Sequence, residues 1–127
     1  QLERIDAATE RLPVARDYQP MFLGAGWSPV GADESGGFVL SLSPEAELLL
    51  PCTPACASVR LQLSTEAGGT EVSLMVDGTP LPAQPLVAGW RSYTWALPAG
   101  VGSAGMHTVV LKPGRQVRLA DVLVTTR

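Results

Sequence analysis

From residue 36 to residue 125 the hydrophobic positions of this chain recur with a period of two. The alternation is cleanest over residues 58–65, SVRLQLST, where Val59, Leu61 and Leu63 point one way and Arg60, Gln62 and Ser64 the other. Successive side chains of a strand leave the backbone on opposite sides, so this is the pattern of a strand with one buried and one wet face. Residues 71–77 repeat it with Val72, Leu74 and Val76 inward. Residues 36–42 set Phe38, Leu40 and Leu42 against Val39 and Ser41, and residues 46–50 form an apolar run bounded by Pro44 and Pro51. In residues 90–98, WRSYTWALP, parity places Arg91, Tyr93, Trp95 and Leu97 on one face and Trp90, Ser92, Thr94 and Ala96 on the other. Residues 106–112 and 116–125 complete the set. Around residues 81–87, Pro80, Pro82 and Pro85 allow only an edge or irregular strand, because proline has no N–H for a ladder.

The joints agree with these strands. Asp77-Gly78 is a tight-hairpin signal, Gly68-Gly69 and Pro113-Gly114 are turns, and residues 99–105, AGVGSAG, form a glycine-rich loop. Residues 21–27, MFLGAGW, are a short apolar run closed by glycines. About eight closely spaced strands with short connections predict an all-β chain, an antiparallel two-sheet β-sandwich of jelly-roll type. An α/β fold would need helical crossovers that these loops cannot hold. Residues 2–12 differ: Leu2, Ile5, Ala8 and Leu12 fall in a roughly helical pattern that Pro13 would stop. The expected organisation is therefore a helical stub or linker over residues 1–17 and a sandwich domain over 18–127, with residues 14–20 extended.

Composition narrows the class. With 127 residues, 46% of them hydrophobic and 17% charged, the chain is long enough for one packed core. A net charge of −3 without a lysine/arginine cluster argues against nucleic acid or an anionic membrane as partner, and no apolar run reaches membrane-spanning length. Gln1 suggests a processed protein or an excised domain, with any signal or anchor upstream. Cys52 and Cys56, in PCTPAC, admit two readings, a short-loop disulfide or two buried thiols. The bridge would place the chain outside the cytoplasm, periplasmic, secreted or on the cell surface. Two thiols and one distant histidine do not make a zinc site.

Taken in order, Gly26-Trp27, the apolar run from Ala46 to Pro51 and the hairpin from Leu74 to Gly78 are similar to the strand motifs of galactose-binding-like jelly-roll domains. So are Gly89-Trp90 through Tyr93, Gly105 to Leu111 and Leu119 to Val124. The chain especially resembles the domains appended to bacterial envelope enzymes such as membrane glycosyltransferases and sulfatases. Leu74 departs from the pattern, standing where a valine is expected. The resemblance implies a non-catalytic accessory module with carbohydrate binding as its commonest activity. It also raises a structural calcium, for which Asp33, Glu34 and Asp121 are the acids at loop positions, although no dense acidic loop is present.

Catalysis has little to stand on. The one histidine, His107, sits in mid-strand, no G-x-S-x-G elbow occurs, and no pair among the scattered carboxylates is singled out. No cofactor fingerprint is present. Sugar rings pack their C–H faces on aromatic rings flanked by polar groups. On that basis the ligand-binding residues are Trp90 and Trp27, with Arg91 and Asp77 as polar partners. Tyr93 and Trp95 are assigned mainly to the interior. The chain contains no asparagine, a residue that sugar sites often use. The expected partner is a glycan. The alternative is a structural module that docks a neighbouring domain or protein through an exposed edge or the residue 2–12 stub; a small hydrolase comes last.

Overall fold

The structure is a computed structural model that describes residues 3–4, 9–12, 23–28, 31–33, 36–42, 44–53, 55–98 and 100–126. Among them every regular element is a strand. In chain order these are β1 (Glu3–Arg4), β2 (Thr9–Leu12), β3 (Gly31–Asp33), β4 (Gly36–Leu40), β5 (Ala46–Cys52) and β6 (Cys56–Thr65). They continue with β7 (Glu71–Val76), β8 (Thr79–Pro80), β9 (Gln84–Pro85), β10 (Gly89–Ala96), β11 (Gly105–Pro113) and β12 (Arg118–Thr126). The eight strands expected from alternation and turn signals all have counterparts, and β1, β2, β3 and β8 are short additions. Of residues 21–27, the described ones, 23–27, form no strand; Leu23 and Trp27 make isolated bridges to Leu48 and Ser41.

All pairings are antiparallel and fall into two sheets. In the seven-stranded sheet β6 lies between β10 and β12. The far edge of β12 is shared, its last residues pairing with β2 and its first with β4. β1 pairs with β2, and β3 with β4. In the five-stranded sheet β11 lies between β5 and β7, and β8 and β9 both lie along β7. The inward residues of both sheets form one core: Val59, Leu61 and Leu63 from β6 and Val122 and Val124 from β12, against Leu48 and Leu50 from β5, Leu74 from β7 and Leu111 from β11. Each such side chain contributes about 1.5–3 kcal/mol by leaving water.

Parity holds along β10: Tyr93, Trp95 and Leu97 are buried while Ser92, Thr94 and Ala96 are exposed. The Trp95 indole donates to the carbonyl of Pro82 at 2.8 Å, and the Tyr93 hydroxyl accepts from the Val87 amide at 3.1 Å. The proline-rich segment between β8 and β10 is thereby tied over the two rings, and it buries its own Leu81 and Leu86.

β12 breaks the alternation. Leu119, Val122 and Val124 are all buried, a spacing of three and then two. Leu119 faces Leu63 and Asp121 faces Gln62, so Ala120 is the extra residue of a β-bulge. The bulge returns Val122 to the core side and leaves Asp121 on the outer side.

The N-terminal expectation needs correction. Glu3–Arg4 and Thr9–Leu12 are strands rather than helix, and Thr9–Leu12 pairs with Thr125–Val122 along β12. A strand edge offering unpaired N–H and C=O groups is a stronger local determinant than a weak helical spacing. The boundary at residues 17–18 and the extended stretch 14–20 lie outside the described residues.

Cys52 and Cys56 form the disulfide, with Cα atoms 5.3 Å apart. It clips the corner where the chain leaves β5 in one sheet for β6 in the other. Gly102 packs against this corner: its carbonyl accepts from the Cys56 amide at 2.8 Å, and a Cβ there would stand 2.9 Å from Leu97 and 3.0 Å from the Cys56 carbonyl. With φ near +80° as well, the position takes glycine.

Candidate functional site on the outer sheet face

The residues that alternate with the core on β10, β6 and β12 form the outer face of the seven-stranded sheet. The register arranges them in rows across the strands. One row runs Trp90, Ser64, Arg118, Leu40; the next runs Ser92, Gln62, Asp121; the third runs Thr94, Arg60, Leu123, Arg11. Two open grooves lie along them. One of about 440 Å³ is lined by Ser64, Thr65, Glu66, Arg115, Gln116 and Arg118 beside Leu40. The other, of about 190 Å³, is lined by Arg11, Arg60, Gln62, Ser92, Asp121 and Leu123. Ser64 and Gln62 are alternate residues of one strand face, so the grooves are neighbours on a single surface.

Fixed side chains frame this surface. The Arg118 guanidinium carbon lies 4.8 Å from the centre of the Phe38 ring, within cation–π range. Arg11 Nε meets Asp121 Oδ1 at 2.9 Å, with both side chains about a quarter exposed (27% and 22%). Trp90 is half-buried at the start of the first row. An aromatic ring beside a shallow trough of hydroxyl, amide, guanidinium and carboxylate groups is chemistry that recognises hydroxyl-rich ligands.

The four ligand residues expected from sequence do not converge. Trp90 alone lies on this face. Arg91, its neighbour, has the opposite parity and projects, exposed, beyond the core. The Trp27 indole donates to the Glu47 carbonyl at 2.7 Å, and its ring packs against the core beside β5. Its segment, residues 23–28, runs along the β5 edge and then crosses to Leu40 through backbone hydrogen bonds.

Asp77 sits in the β7–β8 turn, where it and Gly78 have φ of 49° and 84°. Its Oδ1 accepts from the Thr108 amide at 2.9 Å and its Oδ2 lies 2.5 Å from His107 Nδ1. His107 Nε2 lies 2.5 Å from the Ser103 carbonyl. Both imidazole nitrogens face oxygen acceptors, and only the imidazolium can donate to both at once. The hydrogen bond to Asp77, then that to Ser103, raises the His107 pKa above its ordinary value. The bond from His107, then that from Thr108, lowers that of Asp77. The pair is a clamp joining the hairpin turn to the glycine-rich loop, and neither ring nitrogen is left to act as a general base.

Of the acids weighed for calcium, Asp121 is paired with Arg11 and Glu34 lies outside the described residues. Among the described residues no three histidine, cysteine or acidic side chains stand close enough to hold a metal ion, and no helix is long and apolar enough to cross a membrane.

Arg60, Gln62, Ser64, Ser92 and Arg118 lie on this face and are not among the ligand residues expected from sequence, and Asp121, weighed there for calcium, joins them. Parity already marked Arg60, Gln62 and Ser64 as one wet face; what it lacked was the identity of the neighbouring strands.

No protein-family model matches the chain, and no curated protein matches it in sequence. Its fold does match solved structures. A family 6 carbohydrate-binding module from Clostridium stercorarium, in complex with cellobiose, superposes with a TM-score of 0.60 at 11% identity, covering 94% of each chain. The C-terminal family 6 module of a marine laminarinase from Zobellia galactanivorans gives 0.58 at 13% identity, covering 84% of this chain and 92% of that one. A Podospora anserina β-(1,4)-mannanase carrying a family 35 module gives 0.63 at 11% identity, covering 96% of this chain and 28% of that enzyme. At such identities the likeness is one of fold.

Proposed function

We propose that this chain is a non-catalytic carbohydrate-binding module of an extracytoplasmic protein, and that it holds its glycan on the outer face of the seven-stranded sheet. The observation that carries this reading is the row structure of that face. Trp90 offers a ring at one corner, and Ser92, Gln62 and Asp121 supply hydroxyl, amide and carboxylate groups in the adjoining row. Trp90 keeps the stacking role expected from sequence, and the polar partners become Gln62, Ser92 and Asp121. Arg91 and Asp77 lie off the face, and the Trp27 indole is engaged by Glu47.

The fold shared with carbohydrate-binding modules supports the reading, and the buried Cys52–Cys56 disulfide supports an oxidising compartment. A non-catalytic role is consistent with His107 being engaged at both nitrogens. A shallow face of strands, rigid and largely preformed, contributes affinity by burying a ring face and exchanging water for polar contacts; it does not polarise a bond. The test is affinity electrophoresis against a panel of neutral and acidic polysaccharides. Retardation on at least one of them, lost in Trp90→Ala and reduced in Gln62→Ala with the circular dichroism spectrum unchanged, is the expected result. Mobility unaltered by every polysaccharide would refute the proposal.

A further inference from the structure

We infer that the outer face selects an acidic glycan, a polysaccharide carrying carboxylate or sulfate groups, over a neutral one; this rests on the proposal that the face is the glycan platform. The chain has nine lysine and arginine residues and a net charge of −3. Four of the nine, Arg11, Arg60, Arg115 and Arg118, line the two grooves of this one face. The carboxylates lining the same grooves are Asp121 and Glu66, so the described residues that line the two grooves carry an excess of two positive charges on a chain of negative sign. Asp121 is paired with Arg11.

Arg60 and Arg115 are exposed and form no ion pair among the described residues. Arg118 is held in place by the Phe38 ring. Neutral sugars offer hydroxyls, which serine and glutamine match without charge. Arg60 and Arg115, without a counter-ion among the described residues, each offer a planar fork that matches carboxylate or sulfate oxygens two at a time. Arg118 lies in the Ser64 row and Arg60 two pleat repeats further along, about 13 Å on the strand rise. One sugar cannot reach both, so the ligand is a chain with charges on separate units.

The experiment uses the whole chain with four probes: polygalacturonate, a sulfated galactan, an uncharged β-glucan, and polyglutamate as a polyanion without sugar. Binding by calorimetry at low and high salt is compared for the wild type and for Arg60→Gln, Arg118→Gln and Arg91→Gln. The expected result is binding to an acidic polysaccharide that weakens on raising salt, since screening shortens the reach of surface charge to about 3 Å at 1 M. Arg60→Gln and Arg118→Gln should each lose about three- to tenfold in affinity, as for a surface charge-assisted contact. Arg91→Gln, off the face, should lose nothing. The Arg60 side chain forms no hydrogen bond or ion pair among the described residues, so its substitution decides the matter even if Arg118→Gln disturbs Phe38. The tighter of the carboxylated and sulfated arms identifies the anion.

Equal binding of the uncharged glucan, or indifference to salt and to Arg60→Gln, would overturn the charge selectivity while leaving a glycan module standing. Polyglutamate binding as tightly as either acidic glycan, or no binding to any glycan, would overturn both.

Discussion

Two single-residue deletions, one in each of two adjacent strands, should have opposite consequences. Ala120 is the surplus residue of the β12 bulge, because Leu119 and Asp121 face consecutive residues of β6. Removing it leaves Leu119 opposite Leu63, Asp121 opposite Gln62 and Val122 opposite Leu61, now in regular alternation. No core side chain changes face. What is lost is the local twist, so the deletion should cost less than about 1 kcal/mol. Gln62 occupies a regular position of β6. Deleting it makes Leu61 and Leu63 adjacent, and one half of the strand must turn over. The less costly choice, turning the C-terminal half, exposes Leu63, which is wholly buried, at about 2–5 kcal/mol as for a buried leucine removed from a core. It also turns Ser64 inward, where an unpartnered hydroxyl adds about 1–3 kcal/mol. The total approaches the whole stability of a small domain, about 5–15 kcal/mol. Urea denaturation followed by tryptophan fluorescence measures both: a midpoint near wild type for ΔAla120, and a much lower midpoint or no folded baseline for ΔGln62. Equal damage from the two deletions would refute the assigned register.

Two further outcomes follow from the corner and the clamp. His107 has a raised folded-state pKa, so its contribution is complete below the ordinary imidazole value of 6.5 and is lost as pH climbs through the raised one. Asp77 has a lowered folded-state pKa, so its contribution is complete above the ordinary 3.8 and is lost as pH falls through the lowered one. The melting temperature should therefore decline from pH 6 towards pH 9, His107→Gln should flatten that decline, and an unchanged slope in the variant would deny the clamp. Replacing Cys52 and Cys56 together by serine opens a loop only four residues in sequence separation. The loss should be about 2 kcal/mol on the chain-entropy account, read as a fall in the denaturation midpoint that reductant reproduces in the wild type. A reductant-insensitive midpoint would count against it.

How far sequence could see depended on the range of each interaction. Alternation in residues 58–65 and 90–98 gave the faces of β6 and β10 correctly because side-chain direction in a strand is a local property. Asp77-Gly78 announced its turn for the same reason, and the Cys52–Cys56 spacing left the bridge as one of two open readings. The helical spacing of Leu2, Ile5 and Leu12 misled because pairing with β12 depends on residues more than a hundred positions away. The same distance hid the outer face: Arg11 and Asp121 meet from opposite ends of the chain, and Arg60 looked like any solvent-facing arginine. Nothing local announces the bond of Asp77 to His107, thirty residues on. The Leu119-x-x-Val122 spacing was visible, but only the register with β6 identifies it as a bulge.

The central claim is that ligand is held on the outer face of the seven-stranded sheet. The most direct measurement is amide chemical-shift mapping by NMR during titration with an oligosaccharide cut from whichever polysaccharide binds. The account predicts that the shifted amides cluster at Trp90, Ser92, Gln62, Ser64, Arg118 and Asp121. A cluster instead around Trp27, around the Asp77 turn, or on the outer face of the five-stranded sheet would contradict it.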